Sequence, residues 1–287
     1  MQFVDRSPLT LIECSAMYRK LPRFALTRWC RTVLLVPMLS AMPGALRAQT
    51  PAPATPEIPE WALPGSATHK QVPPPADFHR PSRNFDTPIG MFQGQSDIGG
   101  ALVPGSASYN ANTRKYTINS AGYNIWYQRD EFRYLWKKMS GDFSITADGS
   151  FPIAKTPEYD RKIVLVVRQD LEDDSKEIMT GQHATGMVHL AERPEKGRMI
   201  EDMQYRIGGT LLGGVKPKRI GLEKQGDAFA LFMSVKGEPM HQFGPPIYLH
   251  LDGPFYVGIG FCSHYPATVD TGVLTNVLLE NAAGEVR

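Results

Sequence analysis

Residues 217–239 read PKRIGLEKQGDAFALFMSVKGEP, followed by GPFYVGIGFCSH at 253–264 and TGVLTNVLLEN at 271–281. Each run has the length of a strand or a strand pair and is closed by turn residues. Arg219–Lys224 and Phe229–Val235 flank Gln225-Gly226-Asp227, where glycine supplies the positive φ that a tight hairpin needs. Nothing between these runs carries a helical period. The same punctuation recurs upstream. Ser106–Tyr109 and Lys115–Asn119 flank the turn NANTR, Phe132–Lys138 and Phe143–Phe151 flank SGD, and residues around Thr185–Glu192 and Met199–Arg206 flank EKG. Lys162–Arg168 (KIVLVVR) is a continuous apolar run, as expected of a strand buried on both faces. The only helical turn the pattern suggests lies near Gln128–Phe132. Short strands at regular spacing with Gly, Asn and Asp turns predict an all-β fold, an antiparallel two-sheet sandwich.

The chain opens differently. Basic residues at Arg19, Lys20, Arg23, Arg28 and Arg31 precede the apolar run TVLLVPMLSAMPGAL and then Arg47-Ala48-Gln49. A positive segment, a short apolar stretch and a small residue describe a secretory signal peptide cleaved near Ala48. The apolar run is shorter than the roughly 20 residues of a spanning helix. Met17 offers a second start that would give an ordinary signal opening. Residues 1–48 are therefore expected to be a signal peptide and residues 49–83, rich in proline, an extended arm. Residues 84–287 would form the sandwich, with the mature protein periplasmic or secreted and not membrane-spanning. Of the three cysteines only Cys262 lies beyond the signal, so an intrachain disulfide is not expected, and Cys262, inside GIGFCSHY, has the setting of a buried hydrophobe. A formal net charge of +2 without a Lys/Arg stripe argues against nucleic acid as a partner.

The ordered pieces of the domain carry a family resemblance. They are Gln95–Gly99 (QSDIG), Gly105–Tyr109 (GSASY), Asn124–Trp126 (NIW), Leu135–Asp142 (LWKKMSGD), Val167–Asp170 (VRQD), Lys218–Asp227 (KRIGLEKQGD) and Phe255–His264 (FYVGIGFCSH). Together, over Asn84 to Glu280, they resemble the concanavalin A-like lectin/glucanase jelly roll. More narrowly they are similar to its exported variety, found alone or fused to Tol-type biopolymer-transporter propellers, and to the sandwich domain named for regulation of enolase. The resemblance implies fold and compartment; transport is not implied.

Sandwiches of this fold that cleave glucans place carboxylates on one strand as E-x-D-x-x-E, because an acid and a nucleophile must flank the scissile bond. Glu172, Asp174 and Glu177 have that spacing, but Asp173, Ser175 and Lys176 between them are polar. The segment LEDDSKE therefore reads as a solvated acidic turn. No histidine spacing typical of a metal site occurs: His183 and His189 lie six apart, which on one strand would put them on one face but too far apart for one ion. Ser263 and His264 are adjacent and would point to opposite faces. Asp97 alone does not make a calcium site. No cofactor, metal or catalytic group is assigned.

Aromatic residues are the remaining signal. Tyr123, Trp126, Tyr127, Phe132, Tyr134 and Trp136 crowd one stretch, and aromatic faces stack on sugar rings. Phe132, Tyr134 and Trp136 alternate like a core row, whereas Trp126 and Tyr127 precede the strand and suit an exposed platform. Arg168 and Gln169 end the apolar run, where Arg168 would reach either the concave sheet or a salt bridge to Asp142 or Asp148. The expected function is non-catalytic binding of a carbohydrate or cell-envelope polymer, with Trp126, Tyr127, Arg168, Gln169, His183 and His264 as ligand-binding residues. A glycoside hydrolase or lyase of the same fold, and an envelope protein-interaction or structural module, are the alternatives.

Overall fold

The computed structural model describes residues 80–152, 160–205 and 215–286. The expected signal peptide and nearly all of the proline-rich arm lie outside the described residues. Two antiparallel sheets stack face to face. The first is built from β1 (Arg83–Phe85), β2 (Gly94–Ile98), β7 (Phe132–Met139), β16 (Phe255–Cys262), β9 (Lys162–Arg168), β10 (Glu177–His183), β11 (Val188–Arg193) and β12 (Glu201–Tyr205), in that spatial order. The second runs β15 (His241–Tyr248), β14 (Ala228–Ser234), β13 (Arg219–Gln225), β8 (Phe143–Ser150), β17 (Asp270–Asn281), β4 (Lys115–Ser120) and β3 (Ser106–Asn110). A short β18 (Gly284–Glu285) pairs with β17. A separate two-stranded hairpin, β5 (Ile125–Trp126) with β6 (Arg129–Asp130), belongs to neither sheet. The protein is an all-β jelly-roll sandwich of two antiparallel sheets.

The alternation of side chains makes the core. From the first sheet Leu135, Ile163, Leu165, Val167, Ile178, Val188, Leu190, Val257, Ile259 and Phe261 point inward. They meet Ile118, Phe143, Ile145, Ile220, Leu222, Phe229, Leu231 and Leu274 from the second. Each fully buried aliphatic or aromatic side chain contributes about 1.5–3 kcal/mol of transfer free energy. The hairpins expected at 106–119 and 219–235 form with β3–β4 and β13–β14, and β11 pairs with β12 as expected. Strands β7 and β8 flank the SGD turn but enter different sheets, so that turn carries the chain across the sandwich. Among the described residues no helix forms. The segment suggested as a helical turn, 128–132, is occupied by β6 and the start of β7, because Asp130 and Phe132 are drawn onto the first sheet.

The outer face of the first sheet is covered rather than open. Ile98, Phe132, Tyr134, Trp136, Val164, Val166, Met179, Ala191 and Cys262 form a second core under Ile125 and Ile200. The cover is the strap from Ala121 to Glu131 that contains the β5–β6 hairpin. Tyr134 donates its hydroxyl to the carbonyls of Val166 and Tyr256, and the Trp136 indole donates to Ser96 Oγ at 2.9 Å, so the aromatic row is core. Gly260 is needed here: a Cβ at that position would stand 2.7 Å from the Phe132 ring.

One cross-strand row on this face is ionic. Arg168, Glu177 and Arg193 sit side by side on β9, β10 and β11, and Asp130 descends onto them from the strap. Arg168 donates to Asp130 Oδ2 at 2.7 Å and is paired with Glu177. Arg193 donates to Asp130 Oδ1 at 2.6 Å and to Glu177 Oε1 at 3.1 Å. All four side chains are fully buried. Burial alone would raise the Asp130 pKa, but the guanidiniums of Arg193 and Arg168 outweigh it and hold it below the usual carboxylate value. Burial pushes Glu177 upward, with Arg168 opposing and the Asp130 charge adding. The acidic turn read from LEDDSKE is thus corrected: Glu177 opens β10 inside the protein, and Asp173 is buried against Arg129 at 2.8 Å. Glu172 is exposed as expected of a solvated turn, and Asp174 and Lys176 are half-buried.

Removing the ionised Asp130 carboxylate from this buried group leaves its two guanidiniums under-compensated. Asp130→Asn is expected to lower unfolding free energy by about 3–5 kcal/mol, whereas Glu172→Gln stays within about 0.5 kcal/mol. Urea denaturation of both variants against the parent checks the contrast.

Candidate functional site

Strand parity brings one end of the first sheet's outer face to a polar cluster. On β9 the residues Lys162, Val164, Val166 and Arg168 point outward, so the strand that ends in the ionic row begins with a lysine. Lys162 pairs across the ladder with Cys262 of β16 and His183 of β10. One row further in, Val164, Gly181, His189 and Gln204 lie side by side on β9, β10, β11 and β12. Trp126 and Tyr127 come over this end from the strap, and Asn124 and His264 close it from the side.

The geometry is specific. Lys162 is 2% exposed; its ammonium donates to the Ile125 carbonyl at 3.3 Å and stands 4.9 Å from the centre of the Trp126 ring. The other side of that contact is His189, whose ring centre is 5.5 Å from Trp126. His183 Nε2 is 3.3 Å from His189 Nδ1, and His183 Nδ1 is 3.4 Å from Asp160 Oδ1. Asn124 Nδ2 lies 3.0 Å from His264 Nε2. Asp202 Oδ2 is buried without a hydrogen-bond partner. Burial drives the His183 pKa down to about 4 and that of His189 well below its ordinary value, so both rings are neutral. Burial also lowers Lys162, against which the carboxylates of Asp160, Asp130 and Asp202 act. Burial raises both Tyr123 and Tyr127.

Two residues of the cluster hold costly backbone conformations. Tyr127 has φ 56° and His264 φ 65°, in the left-handed region that bulky residues avoid. Tyr127 occupies the two-residue turn of the β5–β6 hairpin, a place suited to Gly or Asn. Its carbonyl accepts from Ile200 N at 3.1 Å and from Arg193 at 3.4 Å, which keeps it there. His264 N donates to Cys262 Sγ at 3.4 Å, immediately after β16 ends. Strain of order 1–3 kcal/mol per residue persists where surrounding contacts over-determine it, and it gathers at functional sites.

Of the residues expected to bind a ligand, four meet here: Trp126, Tyr127, His183 and His264. Trp126 is half-buried, while Tyr127 is buried rather than an exposed platform, because the hairpin turn folds it down beside Tyr123, with ring centres 6.2 Å apart. Arg168 does face the outer side of the sheet, but it is fully buried and taken up by Asp130 and Glu177, not by Asp142 or Asp148, and so is removed from a ligand-facing role. Gln169, one residue on, leaves the cluster altogether: it donates to the Asp252 carbonyl at 2.6 Å and accepts from Asp252 N at 2.7 Å. Both stand at the far end of β9, about 20 Å along the strand from Lys162. Lys162, Asp160, His189 and Asp202 were missed. The signal for Lys162 was a charged residue at an outward position of an otherwise apolar strand. For His189 it was a polar residue at a buried parity in VHLAER. Two open depressions, of about 390 Å³ beside Phe143, Lys224 and Asn281 and about 520 Å³ along the β3–β4 hairpin, lie on the second sheet and gather no comparable group of side chains.

No family model matches the chain, and no curated protein matches it. Solved structures do. The chain is similar to a functionally unknown protein from Saccharomyces cerevisiae, with a TM-score of 0.46, 13% identity, and coverage of 62% of this chain and 93% of that one. It is similar to a carbohydrate-binding module from Bacillus subtilis, with a TM-score of 0.41, 15% identity and coverage of 62% and 92%. An alginate lyase from Klebsiella pneumoniae gives 0.38, 9% identity, and coverage of 62% and 84%. These are likenesses of the sandwich, and no activity passes from them to this chain.

Glu131 links the strap to the N-terminal segment through Arg80 Nη2 at 3.0 Å, while Arg80 Nε donates to Gly100 O at 2.8 Å. Burial pushes the Glu131 pKa up from 4.5 to about 7, although the Arg80 guanidinium opposes it. A carboxyl favoured in its protonated form by the fold gives full stability below the unfolded pKa of 4.5 and loses it as pH rises to about 7. That loss amounts to about 3 kcal/mol. Melting temperatures of the parent and Glu131→Gln between pH 5 and 8 test this. The parent is expected to fall more steeply with pH, and the variant to be the more stable of the two at pH 8.

Proposed function

We propose that the sandwich is an exported, non-catalytic module that binds a carbohydrate or related cell-envelope polymer at the Lys162 end of the first sheet. The observation that carries this reading is the half-buried Trp126 indole set beside polar groups with unspent capacity. The Lys162 ammonium spends one donor on a carbonyl, and Asp202 Oδ2 accepts nothing. A ring face for apolar stacking beside a few converging donors and acceptors is what a sugar requires. The strained Tyr127 and His264 backbones at the same place support a functional rather than a merely structural role. Export, to the periplasm or the medium, is part of the proposal on the strength of the signal-like segment. So is the finer likeness to exported Tol-associated and enolase-regulation sandwich domains, which bears on compartment and not on ligand.

The hydrolase alternative needs two open carboxylates flanking a bond. The close pair here, Asp130 and Glu177, is sealed between two arginines with no exposure and can neither attack nor protonate a substrate. The test is co-sedimentation of the protein with insoluble polysaccharides, peptidoglycan among them, with released product assayed in the same tubes. Retention without product is the expected result. Trp126→Ala should then lower affinity about tenfold, the equivalent of ~1.4 kcal/mol, with cooperative unfolding kept. Released product would overturn the non-catalytic part of the reading, and neither retention nor product would move the assignment to a protein partner.

A further inference from the structure

A sheet edge leaves a row of backbone donors and acceptors unpaired. Among the described residues the sandwich has four edges, β1 and β12 of the first sheet and β15 and β3 of the second. Three of them are protected. β1 is three residues long, and its Arg83 reaches the Ala101 carbonyl at 3.0 Å. β12 opens with the charged pair Glu201 and Asp202. β15 carries Pro245 and Pro246, and its register against β14 shifts between Phe229 and Leu231. β12 and β15 also lean on each other, with the Tyr205 and Phe243 ring centres 6.0 Å apart. Short strands, charge, proline and bulges all oppose the addition of another strand. β3 has only moderate length in its defence. Ser106–Asn110 (SASYN) is uncharged, free of proline and in unbroken register with β4 over all five residues.

The side chains repeat the point. Ala107 and Tyr109 of β3 face the core as Tyr116 and Ile118 of β4 do, yet they are half-buried where the β4 pair is buried. The hairpin is preformed: Asn110 Oδ1 accepts from the amides of Asn112 at 3.0 Å and Thr113 at 3.1 Å, and Asn119 Nδ2 donates to Ser106 Oγ at 3.2 Å. A depression of about 520 Å³ follows it, with Ser108, Asn110, Lys115 and Thr117 in its lining.

We infer that β3 is the contact edge of a symmetric dimer, in which a second copy of this chain sets its own β3 antiparallel across a two-fold axis at Ser108 and joins the two second sheets into one. The strand is self-complementary in that arrangement, as an isologous contact requires. Reversal about Ser108, the midpoint of the strand, sets each Tyr109 beside the partner's Ala107, a large side chain against a small one. It sets each Ser106 beside the partner's Asn110, and the two small serines meet at the axis. An axis at Tyr109 would oppose two tyrosines and leave part of the strand unpaired. The cations of the hairpin, Arg114 and Lys115, fall at opposite ends. The two copies of Lys115 stand about 14 Å apart along the strands and about 14 Å across them, so about 20 Å in all, well beyond the screening length of about 8 Å at physiological salt. The edge thus supplies its own neutral complement, which favours self-pairing over a foreign strand. Five residues of edge fall short of the roughly 1,200 Å² buried by stable interfaces, so the dimer is expected to be reversible. The contact lies on the second sheet and does not depend on the carbohydrate reading.

The test is sedimentation equilibrium of the full-length protein from about 5 μM to about 500 μM, a span chosen around a Kd of about 100 μM. A reversible monomer–dimer equilibrium is expected. Ser108 faces away from the core, so Ser108→Lys and Ser108→Glu should keep the parent melting temperature. Each alone should weaken the dimer at least about tenfold, because like charges meet at the axis, and an equimolar mixture of the two should associate again. Hydrogen exchange of the parent needs no variant: amides within 106–110 should exchange more slowly as concentration rises, and those of β15 should not change. A monomer throughout the range overturns the dimer and leaves this edge to a different chain or to none. A dimer unchanged by Ser108→Lys, a mixture that fails to associate, or concentration-dependent protection elsewhere than 106–110 overturns the assigned edge.

Discussion

The buried row of Arg168, Glu177 and Arg193, closed from above by Asp130, is the constraint on which the candidate site depends. Three of its members are fixed by the register of β9, β10 and β11, and the fourth arrives from a strap that belongs to neither sheet. Desolvating four charges is expensive, and a buried ionic group of this kind is weak evidence for net stability. Its value here is positional. Arg193 alone reaches Asp130, Glu177, the carbonyls of Ser175 and Arg198, and the carbonyl of Tyr127. The strap is thereby held in one register over the sheet, and an apolar substitute of equal volume would cover the sheet without choosing that register.

That register carries consequences to the opposite end of β9. Because Asp130 and Tyr127 O are both anchored, the two-residue turn between Trp126 and Arg129 must close in a confined space, and Tyr127 takes a left-handed φ to do so. Trp126 is then placed over Lys162 and His189 rather than in solvent. The contrast between the two ends of one strand is chemical. At Arg168 the guanidinium meets two carboxylates and the Glu172 carbonyl. At Lys162 an ammonium that burial makes costly meets one carbonyl and an indole face. Fully satisfied polar groups specify structure, and incompletely satisfied ones mark where a ligand would complete the set.

Much of this architecture was legible in the sequence because it rests on local chemistry. KIVLVVR reads as buried on both faces and becomes the central β9, and Gln225-Gly226-Asp227 reads as a tight turn and joins β13 to β14. The aromatic row Phe132, Tyr134, Trp136 alternates as a core row and is one. What failed to show was long-range. LEDDSKE is dominated by charge, so its composition conceals that Glu177 starts a buried strand; the arginines that neutralise it lie nine residues before and sixteen after. Strands β7 and β8 are neighbours in sequence across SGD, yet sequence proximity carries no information about which sheet each joins. Arg168 was expected either at the concave sheet or in a salt bridge to Asp142 or Asp148; its actual partner Asp130 lies 38 residues away, on a strap with no strand-like pattern.

The histidines show the same limit most sharply. A spacing of six has meaning only once the element is known: on a continuous strand it separates two side chains by about 20 Å, while across a hairpin it can make them touch. EIMTGQHATGMVHLAER contains the needed turn in Ala184–Gly186, where Gly186 adopts φ 94°, and it contains Gly181, the residue that leaves room for an imidazole. Glycine at an outward position of a strand whose neighbours are large is a signal that something on the next strand approaches closely. Here that something is His189, and the glycine, the reversal and the second histidine form one local unit. A histidine pair built this way is set by a single hairpin, whereas the indole above it is set by the ionic row at the far end of the sheet. The two halves of the candidate site therefore answer to different parts of the fold, and loss of the strap would release Trp126 while leaving the histidines facing each other.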